Sequence, residues 1–237
     1  MRKVIVGIQA RSDSERLPGK VLAVIDNKPV LDWILESCLG VIRYMRKDRE
    51  TLNAEIFYML LVPKEDPLAA IYRSKVPTYE GDKDDVLSRY ASAAKAYDAD
   101  YIVRITGDCQ AIPTHIIAKH IKSALIKNRD YTTNTLIRTF KEGMDVQVFS
   151  KKLLYWLQEN ATEKMDLEHV GTLLNKVPFP FKDTEGRPSI CHILSEYYEP
   201  DIKTSIDTKE DLDKARIREN LLKDAKNLAR RTGIVVT

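Results

Sequence analysis

The feature that most constrains the fold of this chain is the alternation of short apolar runs with stretches whose apolar residues recur at helical spacing. Residues 4–8, 54–62 and 100–106 are apolar runs of strand length, and residues 29–45 carry an apolar stripe with the period of a helix. Strand, helix and parallel strand in this order form right-handed βαβ units. The sequence therefore predicts an α/β protein with a doubly wound, mostly parallel sheet and with sites at the carboxyl ends of its strands.

The rest of the chain continues this rhythm less regularly. We predict a helix opened by Asp84 or Asp85, a helix over 113–127, short strands at 131–133 and 145–149, a mostly helical stretch over 151–174, an irregular arm or lid over 175–199, a strand over 202–206, and a helix over 209–231 capped by Asp207, Thr208 and Asp211. Nothing in the 237 residues forces a division, so we predict a single domain over residues 1–237.

Composition excludes several classes of function. A net charge of +3 is too small for a surface that binds nucleic acid, and no stretch reaches the roughly 20 apolar residues of a membrane span. The three cysteines form no CxxC pair, and the N-terminus lacks the cleavage pattern of a signal peptide. We therefore expect a cytoplasmic protein that binds neither nucleic acid nor membranes.

The loop after the first apolar run is rich in cations, hydroxyl groups and glycine. It contains Arg11, Ser12, Arg16, Gly19 and Lys20. Backbone N–H groups in such a loop can approach phosphate oxygens while Arg and Lys neutralise their charge. The loop is therefore a candidate triphosphate cradle, although its composition is equally that of a solvated surface loop.

Two aspartates, Asp108 and Asp207, each follow a predicted strand. If those strands are neighbours, the two carboxylates can converge on one divalent cation, and Mg²⁺ prefers a few carboxylates together with substrate phosphates and water. Each residue also has an ordinary structural interpretation, because Asp108 follows Gly107 in a turn and Asp207 stands at a helix start.

Two segments of the opening loop carry a resemblance to a known family. The sequences IQARS at 8–12 and RLPGK at 16–20 resemble the nucleotide-binding signature of the cytidylyltransferases that activate acidic sugars, and most closely the branch of the spore coat polysaccharide biosynthesis protein F. Later segments match the same branch in order: DDVLSRY at 84–90, RITGDC at 104–109, RTF at 138–140, GMDV at 143–146, EHV at 168–170, SIDT at 205–208 and EDL at 210–212. The resemblance covers nearly the whole chain.

This resemblance implies a fold and an activity. The fold would be a three-layer, Rossmann-type nucleotidyltransferase fold of the nucleotide-diphospho-sugar transferase kind, with an acceptor-site and dimerisation subregion at about 130–200. The protein would be a homodimer that uses Mg²⁺ and transfers CMP from CTP to an acidic sugar, a sugar phosphate or a similar acceptor, releasing pyrophosphate, in the biosynthesis of surface polysaccharide or glycoconjugates.

The resemblance also implies roles for individual residues. Arg11, Lys20, Asp108 and Asp207 would be catalytic, and the two aspartates would hold the metal. The nucleotide would be bound by Ala10, Arg11, Ser12, Arg16, Gly19, Lys20, Gly81, Asp85 and Arg89. The acceptor would be bound by Arg104, Arg138, Asp145, Glu168 and His169. If a sugar hydroxyl is the nucleophile, Asp108 acting through its metal is the candidate for activating it.

The chain departs from the family at one informative position. Residues 80–82 are Glu-Gly-Asp where the octulosonate enzymes carry Ser-Gly-Thr-Asp, so we expect an acceptor other than the octulosonate itself. Two further functions stay open at this point: a glycosyltransferase that uses a nucleotide-sugar, and a catalytically silent subunit that binds a nucleotide.

Overall fold

The structure is a computed structural model that describes residues 1–110 and 112–232. Its strands are β1 (Arg2–Gln9), β2 (Val24–Ile25), β3 (Lys28–Pro29), β4 (Ala54–Pro63), β5 (Thr78–Gly81), β6 (Tyr101–Thr106), β7 (Tyr131–Thr133), β8 (Gln147–Ser150) and β9 (Ile190–His192). Its α-helices are α1 (Val30–Met45), α2 (Arg49–Leu52), α3 (Pro67–Tyr72), α4 (Val86–Ala96), α5 (Thr114–Lys127), α6 (Lys151–Asn160), α7 (Lys164–Glu168) and α8 (Lys209–Thr232).

A seven-stranded sheet in the order β5-β4-β1-β6-β8-β7-β9 forms the centre of the fold. Strands β5, β4, β1 and β6 are parallel to one another, β8 is antiparallel to β6, and β7 and β9 again run with the first four. The prediction of a mostly parallel α/β sheet is confirmed. Because β1 lies between β4 and β6, the loop that follows β1 opens at the middle of the carboxyl edge.

Strand β1 is buried on both faces, as its unbroken apolar run predicts. Val4, Val6 and Ile8 pack in a core that includes residues of α1 and α5, whereas Ile5 packs on the opposite face with residues of α4 and α6. Each of these side chains is at most 1% exposed. Helices therefore cover both faces of the sheet, and the polar residues after Gln9 emerge at its edge.

Three predicted elements differ from the structure. Residues 202–206 form no strand and contribute only a single bridge, between Lys203 and Glu142. The stretch 151–174 is divided into α6, α7 and a short 3₁₀ turn. The predicted arm or lid over 175–199 joins the body of the protein, because β9 extends the sheet and Phe179 and Phe181 pack against the core beneath α6.

Among the residues that the structure describes, no helix has both the length and the apolar character needed to cross a membrane.

Candidate active site

A cavity of about 610 Å³ opens at the carboxyl edge of the sheet, beside the ends of β1 and β6. Twelve of the residues predicted from the sequence line it: Ala10, Arg11, Arg16, Lys20, Arg89, Arg104, Asp108, Arg138, Asp145, Glu168, His169 and Asp207. Four other predicted residues, Ser12, Gly19, Gly81 and Asp85, do not line it. The structure thus brings together residues from the opening loop, the middle of the chain and the start of α8.

The opening loop is anchored at its first turn by Asp66, a buried residue. Oδ2 of Asp66 accepts hydrogen bonds from the backbone N–H of Ser12 at 2.9 Å and from its hydroxyl at 3.2 Å, and Oδ1 caps α3 through the N–H of Leu68 at 2.9 Å. Ser12 is therefore a structural anchor. Sequence reasoning missed Asp66, although an aspartate followed by Pro67 is a recognisable helix start.

Gly19 closes the same loop and directs Lys20 into the cavity. The N–H of Gly19 donates to the carbonyl of Ser12 at 2.9 Å. Gly19 has φ of 69°, a left-handed conformation that suits glycine because it has no Cβ. A short 3₁₀ turn begins at the next residue, Lys20. Gly19 therefore shapes the backbone that presents Lys20, and its role in nucleotide binding stays a prediction.

The carboxylates of Asp108 and Asp207 converge on the ammonium group of Lys20. Nζ of Lys20 lies 3.1 Å from Oδ2 of Asp108 and 3.1 Å from Oδ1 of Asp207. The Lys20 side chain is 13% exposed and that of Asp207 only 10% exposed, so these charges are weakly screened by water. Two carboxylates that reach one cation form a donor set to which a divalent cation can add water and phosphate oxygens.

Asp207 reaches this position through backbone contacts that the sequence does not reveal. The N–H of Ile206 donates to the carbonyl of Asp108 at 3.0 Å, which sets the two aspartates side by side. The loop at Gly143, with φ of 93°, runs so close to residue Ser205 that a Cβ at position 143 would overlap the Ser205 backbone. The residues 202–206, predicted as a strand, are therefore held by loop contacts.

Thr208, not Asp207, caps α8. The N–H of Asp211 donates to the Thr208 hydroxyl at 3.2 Å, and the Asp211 carboxylate accepts from the N–H of Thr208 at 3.0 Å, which completes a capping box. The predicted capping interaction is confirmed for Thr208 and Asp211. The carboxylate of Asp207 is left to bind Arg16 at 2.7 Å and Lys203 at 3.3 Å.

The charge state of Asp108 follows from its surroundings. Burial raises the pKa of the Asp108 carboxyl, but the ion pair with Lys20 and a 2.6 Å hydrogen bond from the Thr106 hydroxyl outweigh it, so the pKa lies below the ordinary value for aspartate. Asp108 is thus ionised at neutral pH and is a weak base, which suits holding a cation rather than accepting a proton. The adjacent Cys109 thiol stays protonated, because burial raises its pKa.

Arg89 supports one wall of the cavity from the interior of the protein. It is 2% exposed, and its guanidinium donates to the backbone carbonyls of Asp82 at 2.6 Å and 3.0 Å and of Lys83 at 3.0 Å. Burial lowers the pKa of Arg89. Gly81 leaves the space that the Arg89 side chain fills, since a Cβ at position 81 would lie 2.9 Å from its Cγ. Both residues thus shape the wall.

Asp85 is also a structural residue. Its side chain accepts a hydrogen bond from the N–H of Ser88 at 2.7 Å, which caps the N-terminus of α4. Beside it, Lys83 forms an ion pair with Asp13 of the opening loop, so the loop and the cavity wall are tied together.

The remaining predicted residues also line the cavity. Arg138 forms a two-point ion pair with Asp145, with distances of 3.0 Å and 3.2 Å. Glu168 lies 3.9 Å from Arg11. Arg104 is instead hydrogen-bonded to two neutral side chains, Gln9 at 2.9 Å and Gln147 at 2.8 Å. Sequence reasoning missed Gln9 and Gln147, since neither side chain ionises and only the strand register brings them to Arg104.

A divalent metal fits this site on its donor chemistry. The described residues contain no cluster of three or more His, Cys, Asp or Glu side chains suited to a metal. Mg²⁺ is bound in proteins by one or two carboxylates plus substrate phosphates and water, and does not need such a cluster. Asp108 and Asp207 are therefore the residues that could hold it.

Solved structures share the arrangement of the chain. A cytidylyltransferase from Leptospira borgpetersenii is 27% identical, with a TM-score of 0.76 over 91% of this chain and 86% of that one. The CMP:2-keto-3-deoxy-manno-octonic acid synthetase complexed with CTP is 16% identical, with a TM-score of 0.62 over 93% and 99%. The Rv0371C structure of Mycobacterium tuberculosis with manganese is 14% identical, with a TM-score of 0.55 over 91% and 98%. The fold is that of the nucleotidyltransferases.

Sequence comparisons place the chain within that class. The cytidylyltransferase family model matches residues 5–43. An uncharacterised protein of Methanocaldococcus jannaschii is 33% identical over 76% of this chain and 70% of its own length. The spore coat polysaccharide biosynthesis protein SpsF of Bacillus subtilis is 27% identical over 89% and 84%, and the 3-deoxy-manno-octulosonate cytidylyltransferase of Colwellia psychrerythraea is 32% identical over 48% and 39%. The chain belongs to the cytidylyltransferase family.

Proposed function

We propose that this enzyme transfers CMP from CTP to an acidic sugar acceptor and releases pyrophosphate, in the assembly of a surface polysaccharide or glycoconjugate. The observation that carries the proposal is the convergence of Asp108 and Asp207 on Lys20 next to the cation-rich opening loop. Relatives that include a spore coat polysaccharide biosynthesis protein and an octulosonate cytidylyltransferase support the same function.

In the proposed reaction, an oxygen of the acceptor attacks the α-phosphorus of CTP. A bond forms between that oxygen and phosphorus, the bond from phosphorus to the bridging oxygen breaks, and pyrophosphate leaves with the electron pair. Lys20, Arg16 and Arg11 neutralise the negative charge on the leaving pyrophosphate. The opening loop, fixed by Asp66 and Gly19, positions these three cations before the substrate arrives.

Asp108 and Asp207 would hold Mg²⁺ at this site. The bound ion would neutralise charge on the phosphate oxygens. Thr106 and Lys203 orient the two carboxylates through contacts of 2.6 Å and 3.3 Å. If the acceptor oxygen is a hydroxyl, its proton passes to solvent water as the new bond forms. The lowered pKa of Asp108 argues that this carboxylate does not take up the proton.

The test is pyrophosphate release from CTP and Mg²⁺ with a panel of sugar acids and sugar phosphates. We expect turnover with at least one acid, and Lys20→Met should reduce kcat/KM on the order of 100-fold because it removes a phosphate contact. Lys214→Met removes an exposed lysine of α8 and is the matched control. Binding of a CDP-sugar without pyrophosphate release would favour the glycosyltransferase instead, and CTP binding without turnover on any acceptor would favour a silent subunit.

We also propose that the protein is a homodimer, as the sequence predicts for the region 130–200. Two loops of this region are joined by hydrogen bonds, from the N–H of Ser195 to the Thr139 hydroxyl at 2.9 Å and from His192 to the Ile137 carbonyl at 3.0 Å. They expose large apolar side chains, which are typical of an interaction surface: Leu136, Ile137, Leu194, Tyr197 and Tyr198. Sedimentation should give a dimer for the wild type and a monomer for Tyr197→Glu.

A further inference from the structure

Arg104 differs from the other cations of the cavity in the groups that hold it. Seven Lys or Arg and six Asp or Glu side chains line the cavity, so the charge is nearly balanced and its distribution matters. Lys20, Arg16 and Arg138 each lie within 3.2 Å of a carboxylate oxygen. Arg89 donates to backbone carbonyls. Within the described residues, no carboxylate lies at ion-pair distance from Arg104. Its hydrogen bonds go to the side-chain amides of Gln9 and Gln147.

The two amides fix Arg104 without neutralising it. Nε donates to Oε1 of Gln9 at 2.9 Å and Nη1 donates to Oε1 of Gln147 at 2.8 Å. An amide oxygen is a neutral acceptor, so it orients the guanidinium and leaves the full positive charge in place. Nη2 of Arg104 has no hydrogen bond to any described residue, and it remains available to a ligand.

The amides are in turn held by the sheet. Arg104 on β6 pairs with Gln147 on β8 in the strand register, and Gln9 lies on the adjacent strand β1. Nε2 of Gln147 donates to the hydroxyl of Tyr131 at 2.7 Å, and Tyr131 is 1% exposed. The direction of the guanidinium is therefore set by three neighbouring strands, which is a more rigid support than a loop provides.

The chemistry of this group indicates its ligand. A half-buried guanidinium without a counter-charge attracts an anion strongly, because the surrounding protein screens the charge less than water does. Its planar N–H groups match the two oxygens of a carboxylate. The phosphates of CTP are assigned to Lys20, Arg16 and Arg11 on the opening loop, and one monovalent cation balances one carboxylate.

We infer that Arg104, positioned by Gln9 and Gln147, binds the carboxylate of the acceptor and makes the enzyme select acidic over neutral acceptors. This inference rests on the proposed function. It assigns the selection of the acid to Arg104 rather than to Arg138, whose charge is already balanced by Asp145, and it gives Gln147 a positioning role.

The test places a negative charge beside Arg104 and keeps the arginine itself. Gln147→Glu puts a carboxylate in place of the amide with almost no change in volume. Protein loaded with Mn²⁺ and the unreactive CTP analogue that carries a methylene group between the α- and β-phosphorus is titrated by calorimetry with 3-deoxy-manno-octulosonate, N-acetylneuraminate and glucuronate, and with the methyl ester of each. The wild type should bind at least one acid and discriminate against its ester. Gln147→Glu should weaken binding of that acid by about 10- to 100-fold, as expected for losing a hydrogen-bonded charge pair, and should leave the CTP dissociation constant within about threefold of the wild type.

Two variants keep the test decisive. Arg104→Gln should lose the discrimination between acid and ester altogether, and it replaces Gln147→Glu if that protein does not fold. Gln158→Glu makes the same chemical change on the exposed face of α6 and should alter nothing.

Each failure has a distinct meaning. Equal binding of acid and ester by the wild type, unchanged acid binding in Gln147→Glu and Arg104→Gln, or no acid bound by the analogue-loaded protein would each overturn the inference. Absence of CTP binding by the wild type would instead overturn the proposed function.

Discussion

Two sites in the cavity hold their cations in opposite ways. At the proposed phosphate site, Lys20 and Arg16 contact the carboxylates of Asp108 and Asp207 directly. At the proposed acid site, Arg104 is held by amides that carry no charge. A cluster of paired charges suits a triphosphate that binds together with a metal ion. The phosphates can pair with the protein cations, and the metal ion can pair with the carboxylates. A cation held by neutral groups suits a single anion.

The largest expected effect comes from breaking the paired cluster at Asp207. Asp207→Asn removes one of the two carboxylates proposed to hold the metal and leaves Arg16 without the carboxylate that it contacts at 2.7 Å. We expect the rate of pyrophosphate release at saturating CTP to fall on the order of 100- to 1000-fold. Circular dichroism should show a folded protein.

Asp213→Asn is the control for this variant, because Asp213 is an exposed aspartate on α8 that pairs with Arg216 on the same helix. Comparable activity of Asp207→Asn and Asp213→Asn would remove Asp207 from the site and with it the contrast between the phosphate site and the acid site.

An intermediate effect is expected from loosening the anchor of the opening loop. Asp66→Asn keeps one accepting oxygen where the carboxylate has two, so an amide NH₂ faces either the N–H of Ser12 or the N–H of Leu68. The opening loop should then be poorly positioned, which should raise the KM for CTP about tenfold, the equivalent of roughly one charged hydrogen bond. Acid binding at Arg104 should not change, because Arg104 is supported by the sheet.

Asp183→Asn is the matched control, since Asp183 also accepts hydrogen bonds from two backbone N–H groups, those of Glu185 and Arg187. A KM for CTP that is the same in Asp66→Asn and in the wild type would mean that the opening loop keeps its shape without this anchor.

The smallest expected effect lies in the acid dependence of stability. Burial raises the pKa of Asp211, but hydrogen bonds from Lys203 and from the backbone N–H groups of Asp207 and Thr208 outweigh it and lower the pKa to about 2. A lowered folded-state pKa contributes stability that is complete above the unfolded pKa of roughly 3.9 and is lost as the pH falls towards 2.

Urea denaturation between pH 5 and pH 2.5 measures this contribution. The wild type should lose about 1–2 kcal/mol more than Asp211→Asn over that range, while the two proteins should have similar activity at neutral pH. Parallel stability curves would show that the ionised Asp211 carboxylate contributes no stability at the start of α8.

Much of the fold could be predicted from the sequence because its signals are local. Strands β1 and β6 and the second half of β4 (59–63) are apolar runs buried on both faces, and α1 has one apolar stripe, so each element is visible in its own segment. The strand predicted over 202–206 was wrong. Its apolar residues have the pattern of a strand, but its backbone hydrogen bonds go to Asp108 and to the loop at Glu142. Strand patterns do not show which neighbour accepts such bonds.

The residues of the candidate site also fall into those that the sequence predicted and those that it did not. The cations of the opening loop and the two aspartates were predicted, since charged residues after apolar runs stand out in a sequence. Asp66, Gln9, Gln147 and Lys203 were not, because each acts by contacting a residue that is distant along the chain. Ser12, Gly19, Gly81 and Asp85 were predicted to bind the nucleotide, and the structure gives each a role in shaping the backbone or a wall.

The sequence by itself determined the alternation of strands and helices and the placement of a cationic loop after the central strand. Only the tertiary structure decided that Lys20 and Asp207, 187 residues apart, meet at 3.1 Å. The physical reason is that periodicity and charge are properties of a segment, whereas this contact depends on parallel strands meeting at one edge and on the close approach of residues 203–206 to Gly143 and Asp108.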